Sequence, residues 1–452
     1  MIQTIRNAWK VKELRNKLLF TLFALLIFRV GAAIPVPFVN TQVLASYIGQ
    51  QSASIFSLLN VMSGDAFAQA TVFALGIQPY INSSIIIQLL TIAIPALERM
   101  ARDEGEEGKK KIASITRYAT VIIAIIQAFG YYTLIKSYGV LSVTGVWPAF
   151  VIIAAFTAGS AFLMWLGEQI TEFGIGNGIS IILFGGIVAR FPSLISIMVS
   201  SVRNWANGTT GENVLTLHPA FIALVVIGIL ALIVFIVFIT NAERRIPVQY
   251  AKRVVGRKMY GGQSTHIPIK VNMAGVMPII FAQAIASIPA TIGMFVPSAS
   301  VEGSGWYKFL KVFDSTGLVY SIVYFLLIVL FSYFYNTIQF NPVEVSNNLK
   351  KNGGFIPGFR PGKPTADFLQ RVISRITMFG ALYLAVVALL PTIAGNIMKA
   401  CGSTAGSRLA IGGTSIIIVV GVALETVTAL EAQLMMRHYK GLLGNGSKGF
   451  LK

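Results

Sequence analysis

The sequence predicts an all-α integral membrane protein with ten helical spans, and three observations lead to this fold class. The chain has 452 residues, of which 55% are hydrophobic and only 12% charged, whereas soluble proteins carry about 25% charged residues. The low charge leaves many uncharged apolar runs of roughly 20 residues, the length of a membrane-spanning helix. Lysine and arginine are concentrated in alternate connections between these runs. The runs are longer than the strands of a membrane barrel and do not alternate, so helices are expected.

The ten uncharged apolar runs define the expected spans. In chain order they are Leu18–Pro35, Thr71–Ile92, Tyr118–Ile135, Trp147–Leu166, Ile175–Ala189, Pro219–Thr240, Val271–Phe295, Leu318–Ile338, Ile376–Ile397 and Leu409–Leu430.

The distribution of positive charge predicts the orientation. The N-terminal segment, the even-numbered connections and the C-terminal tail together carry 28 of the 36 lysines and arginines, and the odd-numbered connections carry seven. Positive residues favour the cytoplasmic side of a membrane. Both termini are therefore expected in the cytoplasm, which requires an even number of spans. The same bias explains the net charge of +19 without a nucleic-acid partner.

The ends and connections suggest how the chain is organised. Residues 1–17 form an expected amphipathic cytoplasmic segment, and residues 433–452 a cytoplasmic tail. The spans divide into two five-helix halves, 18–200 and 201–432, which we expect to be inverted repeats. Two cytoplasmic connections of the second half, about 241–270 and 340–375, are long and basic. Such connections are candidate docking surfaces.

One uncharged stretch is too polar to be a clean span. Val30–Gly64 is rich in Ser, Asn and Gln and is interrupted by Pro35 and Pro37. Non-helical backbone is tolerated at membrane depth only where it is buried in protein or lines a cavity. We therefore expect a segment that folds back into the membrane from the outside.

No catalytic, metal or cofactor motif is found. The chain has one cysteine and three histidines, without metal-ligand spacing. Gly362-Lys363 resembles the end of a phosphate-binding loop, but Pro364 stands where a Ser or Thr is needed. Only Arg29 and Glu425 place charge inside the spans, which disfavours an ion-coupled transporter with its midplane charges. A secondary transporter of a small solute remains the alternative to an apolar pore, and a membrane scaffold is a third hypothesis.

Six separated segments resemble the SecY family of protein-conducting channels. They are Phe73–Leu90 (FALGIQPYINSSIIIQLL), Gly174–Ser180 (GIGNGIS), Glu243–Arg253 (ERRIPVQYAKR), Ser264–Gly275 (STHIPIKVNMAG), Pro357–Gly362 (PGFRPG) and Gly412–Val420 (GGTSIIIVV). The resemblance implies a passive channel, not an enzyme, that moves secretory polypeptides across the membrane and releases membrane helices sideways into lipid.

The resemblance also implies an hourglass-shaped pore closed at its waist by a ring of apolar side chains. Matched motif by motif, the ring positions are Ile81, Ile85, Ile179, Leu183, Ile280 and Ile418. Leu183 departs from the isoleucine of the pattern. The two pairs in the second and fifth spans are spaced i, i+4, so each pair shares one helix face.

Two moving parts are implied as well. A plug is expected at about 55–70, a short helix broken near Gly64, with Asn60, Met62, Gly64 and Phe67 as its candidate residues. A lateral gate is expected between the second and third spans on one side and the seventh and eighth on the other. Its polar candidates are Gln88, Gln127 and Asn272.

The implied partners dock on the two long cytoplasmic loops. The family carries an arginine for the motor SecA where this chain has Arg360, and the other basic candidates are Arg244, Arg245, Lys252, Arg253, Arg257 and Lys258. Basic loops also suit a ribosome, through its RNA phosphates. The resemblance implies SecE and SecG as further subunits. It implies signal sequences and unfolded polypeptides as substrates, and the cytoplasmic membrane, with contact to its lipid, as the location.

Overall fold

A computed structural model describes residues 2–44, 60, 63–102, 104–207, 218–250, 253–255, 258–260, 264–295, 305, 312, 317–400 and 413–446. Within these residues the chain is a bundle of membrane-spanning helices with a small β-sheet at one end. A short helix, Ile2–Lys10, precedes the bundle and packs against the end of the last span.

Most of the expected spans are long apolar helices. Seven helices in the described part of the chain are long and apolar enough to cross a membrane. They are the third (Gly105–Ser137), fourth (Val146–Phe173), fifth (Gly178–Ala206), sixth (Pro219–Asn241), eighth (Leu318–Lys351), ninth (Lys363–Leu390) and tenth (Thr414–Met436) spans.

The other three spans are short, bent or broken. The second span consists of Gln78–Ala93 and Pro95–Arg102, which meet at an angle of 105°. The first span, Lys12–Gly31, has 20 residues and is charged in its first turn. The seventh span is divided into Met277–Ala286 and Ile288–Gly293.

Some spans contain internal breaks or continue beyond the apolar run. The fifth comprises Gly178–Val188 and Phe191–Ala206, separated at Ala189 and Arg190. The eighth, Leu318–Lys351, consists of two helices, Leu318–Gln339 and Pro342–Lys351. The full ninth and tenth helices are Lys363–Ala400 and Gly413–Gly446.

Several predicted boundaries were wrong because a helix need not stop where its apolar run stops. The third helix begins at Gly105, not Tyr118, and Glu106 and Glu107 in its first turn interact favourably with the helix dipole. The ninth begins at Lys363, not Ile376. This helix therefore includes residues 363–375 of the predicted second loop, 340–375.

The second span begins later than predicted. Its helix starts at Gln78. Before it, Thr71 forms an isolated β-bridge with Pro35, and residues 72–77 form turns. Gly76 has a φ of +57°, a backbone conformation that favours glycine. Pro79 stands in the first turn of the helix, where its missing N–H costs nothing.

The helix Phe191–Ala206 also crosses the boundary predicted between the two halves at 200/201. A continuous helix belongs to one unit, so we place the proposed boundary in the connection after Ala206. The division into two inverted halves at that point stays a prediction.

The spans pack around one large apolar core. Its buried members come from nine of the spans and include Phe28, Leu163, Ile182, Ile236, Tyr324, Leu384 and Ile417. Small residues allow close approach between chain segments. A Cβ atom on Gly178 would lie 1.9 Å from the carbonyl oxygen of Gly167, and one on Gly159 would lie 2.0 Å from that of Val72.

The two long loops of the second half fold together. The first contributes β1 (Glu243–Tyr250), β2 (Arg253–Val255), β3 (Lys258–Tyr260) and β4 (Ser264–Lys270), and the second contributes β5 (Gly354–Phe355). Strands β4, β1 and β5 form one antiparallel sheet in that order, and β2 pairs with β3. An apolar cluster packs beneath the sheet and joins both loops to the ninth helix, through Ile246, Val248, Ile269, Leu349, Ile356, Leu369 and Ile373.

The close approach at Gly159 generates a prediction about stability. Gly159→Val would drive a side chain into the backbone of Val72, so we expect a loss of about 2–3 kcal/mol, the usual range for overpacking. Thermal unfolding of the purified protein in detergent measures it.

Gly228→Val is the matched control, because a Cβ at Gly228 meets nothing within 4 Å. It places the same side chain on the exposed sixth span and should change stability by less than about 0.5 kcal/mol. Equal unfolding temperatures for the two variants would contradict the packing described here.

Candidate functional site

The six predicted ring residues all lie in the large apolar core or pack against it. Five are almost fully buried, with exposed fractions of 3% for Ile81, 4% for Ile85, 1% for Leu183, 3% for Ile280 and 1% for Ile418. The sixth, Ile179, is partly buried and packs against the same cluster. These side chains come from four different spans, the second, fifth, seventh and tenth. They therefore lie in a core to which spans from both ends of the sequence contribute.

The glycine-rich motif before the fifth span fixes two of these positions. Asn177 caps the helix, and its Oδ1 accepts hydrogen bonds from the backbone N–H of Ile179 at 3.1 Å and of Ser180 at 3.5 Å. The N–H of Gly178 donates to Thr171 Oγ1 at 2.9 Å. The motif is thus a helix cap and a close packing contact, which sets the helix start just before Ile179 and Leu183.

The described part of the predicted plug, Asn60 and residues 63–70, is called here the turn segment. Residues 63–70 are turns, so they are not part of the short helix that the sequence predicted, and Met62 lies outside the described residues. The segment holds its own shape through side chains. Asn60 Nδ2 donates to Asp65 Oδ1 at 2.8 Å, Asn60 Oδ1 accepts from the N–H of Ala68 at 2.8 Å, and the N–H of Phe67 donates to Ser63 Oγ at 3.0 Å.

Three spans hold the turn segment in place. Arg190 Nε of the fifth span lies 3.1 Å from Asp65 Oδ1, and an Nη atom of Arg29 in the first span lies 3.4 Å from the Gly64 carbonyl. Tyr131 of the third span donates its hydroxyl to the Phe67 carbonyl. The Tyr131 and Phe67 rings also stack, with centroids 4.4 Å apart.

The turn segment lies directly beside the ring cluster. Gly64 has a φ of +66°, and a Cβ there would lie 2.9 Å from the carbonyl oxygen of Gly186. Gly186 is one helical turn from Leu183 on the fifth span. Gly64 was predicted to break a short helix; in the structure it lies within a run of turns and has a positive φ.

A small cavity lies between the turn segment and the neighbouring spans. Its lining includes Ser63 and Phe67 of the turn segment, Gln78, Gln127, Leu183, Thr291 and Met294. Residues of the second, third, fifth and seventh spans therefore meet at this cavity.

The three predicted gate residues have different surroundings. Gln127 is buried and lines the cavity between the third and seventh spans. Gln88 donates from Nε2 to Ser84 Oγ of its own helix at 3.4 Å. Asn272 is partly exposed in the turn that leads from β4 to the seventh span.

A polar contact that sequence reasoning missed joins the second and seventh spans. Gln78 Nε2 donates to Ser287 Oγ at 3.2 Å, and both residues are buried. Ser287 lies at the break in the seventh span. The only signal in the sequence is a glutamine beside the proline that starts the second helix, and nothing there indicates a partner more than 200 residues away.

The third and seventh spans touch further along the same seam. Thr133 Oγ1 donates to the Met294 carbonyl at 2.6 Å, and the Phe129 and Phe295 rings stack with centroids 6.3 Å apart.

Arg360 stands at an exposed, well-supported loop tip. It lies between Gly358 and Gly362, whose φ angles are +86° and +107°. Its carbonyl accepts a hydrogen bond from Thr365 Oγ1 at 2.8 Å, and the neighbouring Phe359 ring stacks on Phe368 with centroids 4.2 Å apart. The backbone is thus fixed while the guanidinium is exposed to solvent.

The other docking candidates are distributed over the first loop. Arg244 and Arg245 are exposed on β1, and Arg245 Nε pairs with Glu243 Oε1 at 2.7 Å. Arg253 and Lys258 are end residues of β2 and β3, and their side chains lie outside the described part. Lys252 and Arg257 lie outside the described residues altogether.

The two charged residues within the predicted spans, Arg29 and Glu425, lie close to backbone of other segments. Arg29 points its guanidinium at the Gly64 carbonyl, and Glu425 of the tenth span is close to Gly275, where a Cβ would lie 2.9 Å from Glu425 Oε1. Among the described residues, no group of three or more His, Cys, Asp or Glu side chains is placed to hold a metal ion.

Comparison with known sequences gives a consistent family. The model of the SecY family matches residues 71–427. The "Protein translocase subunit SecY" of Streptomyces galbus is 44% identical over 460 residues, covering 98% of this chain and 100% of the relative. The protein of the same description from Mycobacterium tuberculosis is 43% identical over 459 residues, with the same coverage.

Solved structures show the same fold at lower identity. One described as "The structure of a protein conducting channel" has a TM-score of 0.62 at 20% identity, and one that concerns the plug domain of SecY has a TM-score of 0.60 at 20% identity. Sec61 in a canine ribosome-channel complex has a TM-score of 0.58 at 19% identity. Each alignment covers 92% of both chains.

These similarities confirm the predicted fold class, an all-α membrane protein of ten spans with a re-entrant plug segment. The family model matches well over half of the chain, and relatives above 40% identity cover nearly all of it. The chain belongs to the SecY family.

Proposed function

We propose that this protein is a channel that translocates secretory polypeptides across the cytoplasmic membrane and releases membrane helices laterally into it. The observation that carries the proposal is that six branched apolar side chains from four spans all lie in or against the large apolar core, next to the turn segment at the fifth span. The relatives of this chain are described as protein translocase subunits. A solved structure of the same fold is described as a protein-conducting channel.

The six ring residues form the seal of the resting pore. Branched apolar side chains offer water and ions no hydrogen bonds, and an apolar constriction closes by dewetting. The same surface makes no specific polar contact with a polypeptide that passes through it, so it accepts many sequences. This suits a channel whose substrates share no sequence.

The turn segment acts as the plug. It is held by contacts from the first, third and fifth spans, and it adjoins Leu183 of the ring through the contact of Gly64 with Gly186. In this position it adds a second barrier on the outer side of the ring.

The seam between the second and third spans and the seventh is the lateral gate. Gln78–Ser287, Thr133–Met294 and the Phe129–Phe295 stack close it. A polar contact between membrane helices is worth about 1 kcal/mol, so a few such contacts hold a seam that parts when a signal sequence binds. The signal opens the channel because it binds the open state better than the closed one.

Partners dock on the folded unit made by the two cytoplasmic loops, and the chain itself performs no hydrolysis. The motor SecA or a ribosome supplies direction, with Arg360 as the main contact for SecA. Exposed Arg244 and Arg245 suit RNA phosphates of a ribosome in a salt-dependent contact. The sheet that joins the loops supports this role because it gives the basic tips a fixed position. SecE and SecG complete the assembly.

In the proposed orientation, both termini lie in the cytoplasm. The excess of Lys and Arg in the even-numbered connections supports it, and it puts the sheet and Arg360 on the same side as the motor.

The seal predicts an ion leak when the ring becomes polar. In the double variant Ile81→Ser with Ile85→Ser, hydroxyls replace two buried branched side chains, and water enters the constriction. We expect resting conductance in planar bilayers to rise at least about tenfold, an effect of roughly 1.4 kcal/mol on the closed state.

The control for this experiment uses the outward face of the same helix. Ile86 and Leu90 have the same i, i+4 spacing but are exposed, so Ile86→Ser with Leu90→Ser should leave the conductance of the intact channel unchanged. A ring variant no leakier than this control would rule out the apolar seal.

The docking surface predicts that translocation depends on the charge at Arg360. Arg360→Glu reverses an exposed charge on a fixed loop tip, so we expect translocation driven by SecA and ATP to fall more than about tenfold, as for a binding hot spot. The assay is protease protection of a presecretory protein in proteoliposomes that contain SecE and SecG.

Lys363→Glu is the matched control, because it reverses an exposed charge three residues away at the start of the ninth helix. It should retain most of the activity. Undiminished protection in Arg360→Glu would remove Arg360 from the motor contact. If the intact chain gave no protection with an active motor and substrate, the channel function itself would be rejected.

A further inference from the structure

We propose that the small cavity lined by the second, third and seventh spans is a binding site for ordered water, held by the amides of Gln78 and Gln127. Its ligand is a neutral molecule of the size of water that both donates and accepts hydrogen bonds. The site goes beyond the proposed channel function and does not depend on it, because it is a property of the folded chain.

The size of the cavity fits water. It offers a volume of about 30 Å³ to the centre of a water molecule, whereas one bound water needs roughly 10–15 Å³ by the same measure. One or two water molecules therefore fit. Sites for organic ligands are far larger, so the cavity does not suit a solute.

The lining of the cavity is polar and uncharged. Gln78, Gln127 and Thr291 contribute two amides and a hydroxyl from three spans, and Ser63 contributes a second hydroxyl. Cavities that stay dry are apolar, whereas a polar cavity that offers roughly two to four partners retains water. Among the described residues of the lining, none is charged. A bound cation would need several oxygen ligands, usually with carboxylates among them, so the expected occupant is neutral.

The side chain of Gln78 provides the main reason to place a molecule in the cavity. Gln78 is 7% exposed, and its Nε2 already donates to Ser287 Oγ at 3.2 Å. Within the described part of the chain, its Oε1 has no hydrogen-bond partner. A buried acceptor without a donor destabilises the fold. A water in the cavity donates to this oxygen and removes that cost.

Gln127 and Thr291 supply the further partners that a bound water requires. Gln127 lines the cavity from the third span and is also 7% exposed, and an amide both donates and accepts hydrogen bonds. Thr291 Oγ1 donates to the Ser287 carbonyl at 3.1 Å, which leaves the hydroxyl oxygen as an acceptor. Bonds through water are nearly as favourable in enthalpy as direct ones. The three spans are thus joined through water at this point.

Radiolytic oxidation of methionine distinguishes a wet cavity from a dry one. X-ray pulses produce hydroxyl radicals from water, and a bound water produces them next to the side chains that it touches. Met294 lines the cavity and is 6% exposed, whereas Met164 of the fourth span is 8% exposed and does not line it.

The experiment uses the full-length protein in lipid nanodiscs, with oxidation at each methionine measured by mass spectrometry. We expect Met294 to be oxidised several times faster than Met164, because both are shielded from bulk solvent and only Met294 adjoins the proposed water. Equal rates at the two residues would show a dry cavity and overturn the site.

Gln127→Leu tests whether the amide holds the water. It removes one partner and leaves the Gln78–Ser287 bond intact, so oxidation at Met294 should fall to nearly the rate at Met164. A rate at Met294 that the substitution does not lower would assign the oxidation to local opening of the chain and overturn the site.

Gln88→Leu is the matched control, because Gln88 donates to Ser84 of its own helix and does not line the cavity. It replaces the same residue type on the second span, and the oxidation rate at Met294 should stay at the level of the intact protein. A fall equal to that in Gln127→Leu would show that the loss is not specific to the cavity and would overturn the site.

A high-resolution density map of the intact protein decides the case in which Gln127→Leu does not fold. We expect a peak in the cavity within about 3.2 Å of Gln78 Oε1, the distance of a hydrogen bond. A map that resolves both amides and shows no peak there would overturn the site. None of these measurements involves translocation, so their failure is distinguishable from a failure of the channel function.

Discussion

Hydrocarbon offers no hydrogen-bond partner to a polypeptide backbone, and this constraint explains how a non-helical segment lies among the spans. The turn segment and the residues around it pair within the protein. The N–H of Val36 donates to the Ala70 carbonyl, and that of Val72 donates to the Ile34 carbonyl, both at 3.0 Å. The N–H of Asp65 donates to the Asn60 carbonyl at 3.0 Å. The Asp65 bond closes a turn within the segment, and the other two bonds tie its end to residues 34–36 that follow the first span.

The remaining parts of the molecule are arranged around that segment and the ring beside it. The fifth span is central, since it supplies Leu183 to the ring, Gly186 to the contact with Gly64, and Arg190 to the ion pair with Asp65. The seventh span connects the proposed ring to the sheet, because Ile280 follows a turn that leads directly from β4. The backbone N–H of Val271 donates to the Ala242 carbonyl at 2.9 Å, which closes the base of the sheet where the sixth and seventh spans enter it.

The sequence predicts the spans well and the contacts between them poorly, for physical reasons. Apolar runs report which residues can lie in lipid, so the ten spans follow from composition, but a helix such as Lys363–Ala400 continues into water and its start is not marked by hydropathy. The ring positions required a family resemblance, because Ile81 and the exposed Ile86 are the same residue type five positions apart. The Gln78–Ser287 bond depends on how two distant spans meet, and no local pattern encodes that. The strand β5 has two residues, too few to show any periodicity.

The pairing of β1 with β5 has a consequence for how the protein is made. Gln249 pairs with Phe355 and Tyr250 with Gly354, so the third strand of the sheet is synthesised long after the first two. The eighth span and the helix Pro342–Lys351 lie between β4 and β5 in the chain. Chains grow from the N-terminus, and early segments wait for later ones. A nascent copy therefore exposes an incomplete sheet until its eighth span has been inserted and β5 has emerged. A partner that recognises the finished three-stranded surface distinguishes completed copies from those still being assembled.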